Sequence, residues 1–234
     1  MVKKINRKKL LKEPDEFLTW SRKTFNYLVS HINQVIIVIT GIMLIALMGV
    51  GIRAWNQNSE NKAMVLLNQA MTQYKEAVNK DQQALEEAFP TIQESFETLI
   101  EDYLNTSAGR AGLIAYAQVN YVMKRFDKAI ELLKTCDKKL DKQSSLKPII
   151  QDGLAYAYIG KNEYDKAIDC LNKIIASQSR IKIDDILFQL GVIYEKKQNF
   201  EKSVEMYQQL INDYPDSIYI KIATNKVSLK DVTL

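Results

Sequence analysis

The stretch Ile32–Ile52 constrains this chain more than any other, because its 21 residues carry no charge. As a helix rising about 1.5 Å per residue it spans roughly 32 Å, the thickness of a bilayer's hydrocarbon core. A helix on the surface of a soluble domain keeps a polar face. Between Val35 and Ile52 only Thr40 has a hydrogen-bonding side chain, and its hydroxyl can bond back into its own helix. The segment therefore reads as a transmembrane helix over residues 32–55. Its ends agree. Asn33 and Gln34 open it, and Arg53 and Trp55 close it, a charge and an indole suited to the headgroup level. Trp20 is a third membrane-interface candidate. Gly41, Gly49 and Gly51 form no small-xxx-small seam, so no helix-dimer signal is present. The 31 preceding residues are too many for a signal n-region, the apolar run is too long for an h-region, and no A-x-A site follows. An uncleaved anchor is expected.

Charge sets the expected orientation. Residues 1–31 carry eight Lys/Arg against Glu13, Asp15 and Glu16, a net of +5. Residues 54–234 carry 23 Lys/Arg against 25 Asp/Glu, a net of −2. Basic flanks stay on the cytoplasmic side, so the tail is expected in the cytosol and the large domain across the membrane. That domain lacks the positive excess that nucleic-acid binding needs. The basic tail is attracted to anionic lipid. Pro14, Asp15 and Glu16 suit a helix start. From there Phe17, Trp20, Thr24 and Leu28 mark a short amphipathic helix expected to lie on the cytoplasmic membrane face. His31, at the headgroup boundary with no carboxylate beside it, reads as an interfacial residue.

Beyond Glu60 the sequence is helix-permissive, with no hairpin turn signal and no alternating strand. It also repeats. RFDKAIELL, EYDKAIDCL and NFEKSVEMY begin at Arg125, Glu163 and Asn199. The last unit places Leu187, Leu190, Gly191, Tyr194, Phe200, Ser203, Tyr207 and Pro215 at offsets 0, 3, 4, 7, 13, 16, 20 and 28. Leu154, Ala155, Tyr158, Tyr164, Ala167 and Leu171 repeat it one unit earlier, and Tyr116, Ala117, Phe126, Ala129 and Leu133 one before that. This pattern resembles the tetratricopeptide (TPR) repeat, a helical hairpin of about 34 residues, with Ser203 where the family usually has alanine. Small Gly191 and Ser203 are expected where two helices approach closest, with Tyr194, Phe200 and Tyr207 filling the space beside them. Pro215 cannot continue a helix.

The fold expected is all-α: an N-terminal transmembrane helix followed by a TPR-like α-solenoid of helical hairpins. The divisions are a basic tail with its amphipathic helix over 1–31, the span over 32–55, a polar helix and degenerate first repeat (Phe89, Ile92, Phe96, Leu99) over 56–107, three units over 108–217, and a capping helix and tail over 218–234. The capping helix, about Ser217–Ser228, would cover the last apolar face. Cys136 and Cys170 fall at different positions of neighbouring units, which favours two buried thiols over a disulfide.

Stacked hairpins make a concave face lined by first helices. By register it carries Ile114, Gln118 and Tyr121, then Ile149, Asp152 and Tyr156, then Asp185, Phe188 and Val192. The Lys/Asn clamp of TPR adaptors that hold acidic tails is absent there. This groove suits an apolar protein segment, unless it is closed by the chain's own packing, for example by the helix over Glu60–Lys80. No catalytic signature appears: one histidine at the membrane, no G-x-S-x-G, no P-loop and no paired metal ligands. No cofactor, metal or small-molecule substrate is expected. Asn105-Thr106-Ser107 matches a glycosylation acceptor, a triplet common by chance.

A short cytosolic segment, an anchor ending Gly51-Ile52-Arg53-Ala54-Trp55-Asn56, a polar helix and then TPR-like units together resemble the bacterial ancillary SecYEG translocon subunit family. The resemblance implies a single-pass inner-membrane protein with a cytoplasmic N-terminus and a periplasmic scaffold domain, partnered by translocon subunits, a periplasmic chaperone or exported chains. Two further readings stand beside it. One is a membrane-tethered regulator acting through its cytosolic basic tail, with the repeats as sensor. The other is an adaptor of inverted topology.

Overall fold

Three of the turns between helices repeat one backbone conformation, and they set the architecture. Lys124, Asn162 and Gln198 each adopt the left-handed region, at φ 59°, 59° and 58°. Each is followed by one non-helical residue, Arg125, Glu163 or Asn199, whose N–H reaches back five residues to Asn120, Tyr158 or Tyr194 at 2.8–2.9 Å. A helix closed this way reverses the chain at once. The next helix then starts on Phe126, Tyr164 or Phe200. Glycine usually fills the left-handed position; here Lys, Asn and Gln hold it.

The computed structural model describes residues 16–141, 144–177 and 183–231. The basic tail over 1–12 and residues 14–15 lie outside them, as do parts of both inter-repeat linkers. The described residues form helices and turns with no strand. They are α1 (Glu16–Ser30), α2 (Ile32–Val78), α3 (Gln82–Tyr103), α4 (Ser107–Val122), α5 (Phe126–Lys139), α6 (Lys147–Gly160), α7 (Tyr164–Ala176), α8 (Ile183–Lys196), α9 (Phe200–Asp213) and α10 (Ile220–Asp231). The chain divides into two units, Met1–Asn58 and Ser59–Leu234.

In the first unit the apolar part of α2 is long and apolar enough to cross a membrane, and none of it is buried in protein. Thr40 Oγ1 donates to the Ile36 carbonyl at 2.7 Å, which satisfies the hydroxyl within the helix. One join differs from expectation. A helix lying flat on a membrane face needs a bend before the span, but α-helical hydrogen bonds run through His31, from His31 N to Tyr27 O and from Val35 N to His31 O. A single turn residue separates α1 from α2. The His31 ring stacks on Tyr27, with centroids 4.5 Å apart. A second difference is that α2 does not stop at residue 55. Nothing between Arg53 and Val78 is glycine or proline, so nothing ends the helix.

In the second unit, α4–α5, α6–α7 and α8–α9 form hairpins, each hairpin packs on the next, and α10 packs on α9. The third hairpin shows why the repeat needs its small residues. Ser203 Oγ donates to the Gly191 carbonyl at 2.9 Å, and a Cβ on Gly191 would meet the buried Tyr207 ring at 2.4 Å. Phe200 departs from the expected packing. Its counterpart Phe126 covers Gly160 of the following hairpin, whereas Phe200 stands at the last hairpin and is 55% exposed. Asp127 pairs with Lys161, and Asp165 with Lys197, so equivalent positions link successive hairpins.

The sequence marks the start of the array only weakly. Helix α3 buries Leu85, Phe89, Ile92, Phe96 and Leu99, a stripe at helical spacing. Ala63, Ala70 and Ala77 of α2, seven residues apart, are buried in the same core, and Ser95 Oγ donates to Gln73 Oε1 at 3.1 Å. Glu60 caps α4 from 47 residues away. Its two carboxylate oxygens accept from Ser107 N and Ala108 N, both at 2.8 Å, where a helix N-terminus favours negative charge. In the Asn105-Thr106-Ser107 triplet, Thr106 is the N-cap of α4 and accepts from Gly109 N at 2.9 Å. Helix α10 starts three residues later than expected, because Ser217 is spent on the turn, donating to Asp184 and accepting from Tyr219 N. Cys136 and Cys170 are buried and free, and burial pushes both thiols up.

Candidate functional site

Helix α4 brings Ile114, Gln118 and Tyr121 to one face at offsets of four and three, and α6 brings Ile149, Asp152 and Tyr156 to one face at offsets of three and four. These six expected groove residues line one cleft of about 340 Å³, floored by Ala117 and Gly153 and by Ala129 and Leu133 of α5. Gly153 matters to the depth, since a Cβ there would already sit 3.1 Å from Leu133. The wall is open to solvent: Ile149 is 47% exposed, and Tyr121 and Tyr156 over a third. Their rings meet edge to face, centroids 6.2 Å apart, and Tyr121 is propped from behind by Phe126 at 5.6 Å.

Phe188 and Val192 do not join this cleft. Phe188 stacks on Tyr219, with centroids 4.4 Å apart and planes 12° apart, and packs against Tyr207. Val192 is half-buried in the same cluster. The segment entering α10 thus covers the face that register alone leaves open. Tyr219 Oη donates to Asp185 Oδ1 at 2.7 Å, and Gln189 Nε2 donates to Asp185 Oδ2 and Tyr156 Oη at 3.1 and 3.0 Å. The groove therefore ends at a polar seal formed by Tyr156, Gln189, Asp185 and Tyr219. Gln189 and Tyr219 were not legible as site residues: one is a buried glutamine on an apolar helix, the other lies outside the repeat pattern.

Electrostatics follow from this burial. Burial raises the Asp152 carboxyl above its ordinary range, and Asp185 raises it further, against a hydrogen bond from Gln189. Burial and the same two acids push the Tyr156 phenol up to about 12, so it stays neutral. The cleft has no nucleophile–base pair, and among the described residues no group of His, Cys, Asp or Glu is placed to hold a metal ion. The remaining expected site residues, Trp20, Arg53 and Trp55, belong to the first unit. Trp20 lies on α1 and is exposed; Arg53 and Trp55 lie on α2 just past the apolar stretch, also exposed.

Comparison with known proteins gives the same architecture. Residues 31–230 match the family described as tetratricopeptide repeat-like domain. A putative kinesin light chain of Podosopora anserina with nearly identical TPR-like repeats superposes with a TM-score of 0.55 at 16% identity, over 69% of this chain and 84% of that one. A variant of the same protein gives 0.54 over the same shares. The crystal structure of MamA gives 0.49 at 21% identity, over 64% of this chain and 80% of that one. For the two kinesin light chain structures, at 16% identity, the likeness concerns the fold alone. No curated protein matches the chain.

Proposed function

The chain belongs to the tetratricopeptide repeat-like family, and from that premise we propose that it is a membrane-anchored, non-catalytic scaffold. It holds an apolar segment of a protein partner in the cleft between α4 and α6. The observation that carries this reading is the cleft itself: an open, mostly apolar concavity whose lining comes from equivalent positions of two successive hairpins. Apolar clefts with a few fixed polar groups are the usual ligand sites of a fold. The uncharged part of α2 supports the anchor, and the family match begins at residue 31, so it takes that helix in. The charge asymmetry supports a tail on the cytoplasmic side and a repeat array across the membrane. The resemblance to the ancillary translocon subunit family supports a bacterial inner membrane, with translocon subunits, a periplasmic chaperone or exported chains as partners.

Photo-crosslinking in native membranes tests the reading. A photoreactive residue at Gln118 or Ile149 captures protein partners, and one at Phe188, lying under Tyr219, captures none. Equal capture at Phe188, or none at the two cleft positions with capture along Trp20–Leu28, contradicts it. The second of those results moves the site to the cytosolic helix.

A further inference from the structure

We propose that the cleft selects an apolar partner segment bearing one cationic side chain, lysine or arginine, whose charge is received by Asp152. This rests on the reading of the cleft as a partner site and names the chemistry of what enters it.

Charge complementarity in a nearly apolar cavity supports this assignment. Apart from Gln118 and two tyrosine hydroxyls, Asp152 is the one polar side chain of the lining. The ion pairs among the described residues engage Glu131, Asp137, Asp127, Glu163, Asp165 and Glu195; none engages Asp152 or Asp185. The Asp185 oxygens are occupied by Gln189 and Tyr219. Asp152 is thus a carboxylate half-buried beside a second acid, with no cation to offset either. A charge held that way costs stability, and a ligand cation removes the cost. The walls suit such a side chain as well. Tyr121 and Tyr156 present ring surface to an aliphatic stem and a cation, and Ile114 and Ile149 present apolar surface to its neighbours. An acidic ligand would bring a third negative charge to the same place.

The full chain in lipid nanodiscs, with empty discs as the blank, decides this by fluorescence anisotropy. The probes are three labelled decapeptides, each with four leucines and a central Lys, Gln or Glu. The expected result is that the Lys peptide binds at least tenfold more tightly than the Gln peptide, with the Glu peptide weakest. In Asp152→Asn the Lys advantage falls below twofold while the thermal midpoint does not drop; in Glu131→Gln, away from the cleft, the advantage is unchanged. Equal binding of the Lys and Gln peptides, tightest binding of the Glu peptide, or an advantage that survives Asp152→Asn overturns the charge assignment and leaves the cleft reading standing. Binding of no peptide above the blank overturns both.

Discussion

Gly109→Ala unfolds at a lower denaturant midpoint than wild type, by the equivalent of about 3 kcal/mol, the upper end of ordinary overpacking costs. The reason is backbone, not side chain. A Cβ on Gly109 would lie 1.9 Å from the Tyr103 carbonyl oxygen and 2.6 Å from its carbon. That oxygen cannot retreat cheaply, since it accepts from Thr106 N at 2.9 Å and Thr106 Oγ1 at 2.7 Å. The same threonine caps α4, so the added methyl strikes the joint between α3 and the first hairpin. Gly153→Ala is the matched comparison. Its Cβ meets only the tip of Leu133, at 3.1 Å, and a loss of about 1 kcal/mol or less is expected there. Urea titration of both variants checks this; a Gly109→Ala midpoint no lower than that of Gly153→Ala contradicts the packing described.

Phe96→Ala costs about 3–5 kcal/mol, the usual range for removing a fully enclosed aromatic ring. Phe96 is fully buried on α3 and stacks on Tyr116 of α4, centroids 5.2 Å apart and planes 10° apart. The expected loss is large because the ring joins the weakly marked first repeat to the first clear one. Phe200→Ala, at the exposed end of the array, should stay within about 1 kcal/mol of wild type, as exposed sites do. Thermal unfolding of the two variants separates them. Equal shifts would mean that α3 is not part of the repeat core.

These contacts also show where sequence reasoning reached and where it stopped. The uncharged run of α2 was legible because a bilayer-length segment without a polar face has few other uses. The three hairpins were legible because each repeats Phe or Tyr, a small residue and then Leu or Tyr at helical spacing, and the register of α4 and α6 follows from that alone. The first repeat was faint for a physical reason. Its helix pair packs through Ala63, Ala70 and Ala77, whose methyls leave little trace in a pattern of large apolar residues. The reversal turns carry Lys124, Asn162 and Gln198 where glycine would have announced them. The Glu60 cap and the Tyr219 cover are long-range contacts made by single side chains, and no local period encodes them. For that reason Phe188 and Val192 read as groove residues although the chain itself covers them. The helix expected to lie on the membrane face likewise rested on an amphipathic pattern, which says nothing about the backbone at His31.

In the proposed function the uncharged run is held in lipid while the repeats remain outside it. Alkaline carbonate extraction of membranes carrying the full chain measures this directly, with Ile42→Glu/Ile45→Glu as the comparison; both side chains are exposed on the apolar stretch of α2. The wild-type chain is expected to sediment with the membranes and the double variant to be released, because two charges at mid-span are costly in hydrocarbon. Release of the wild-type chain by carbonate, or retention of both, would contradict it.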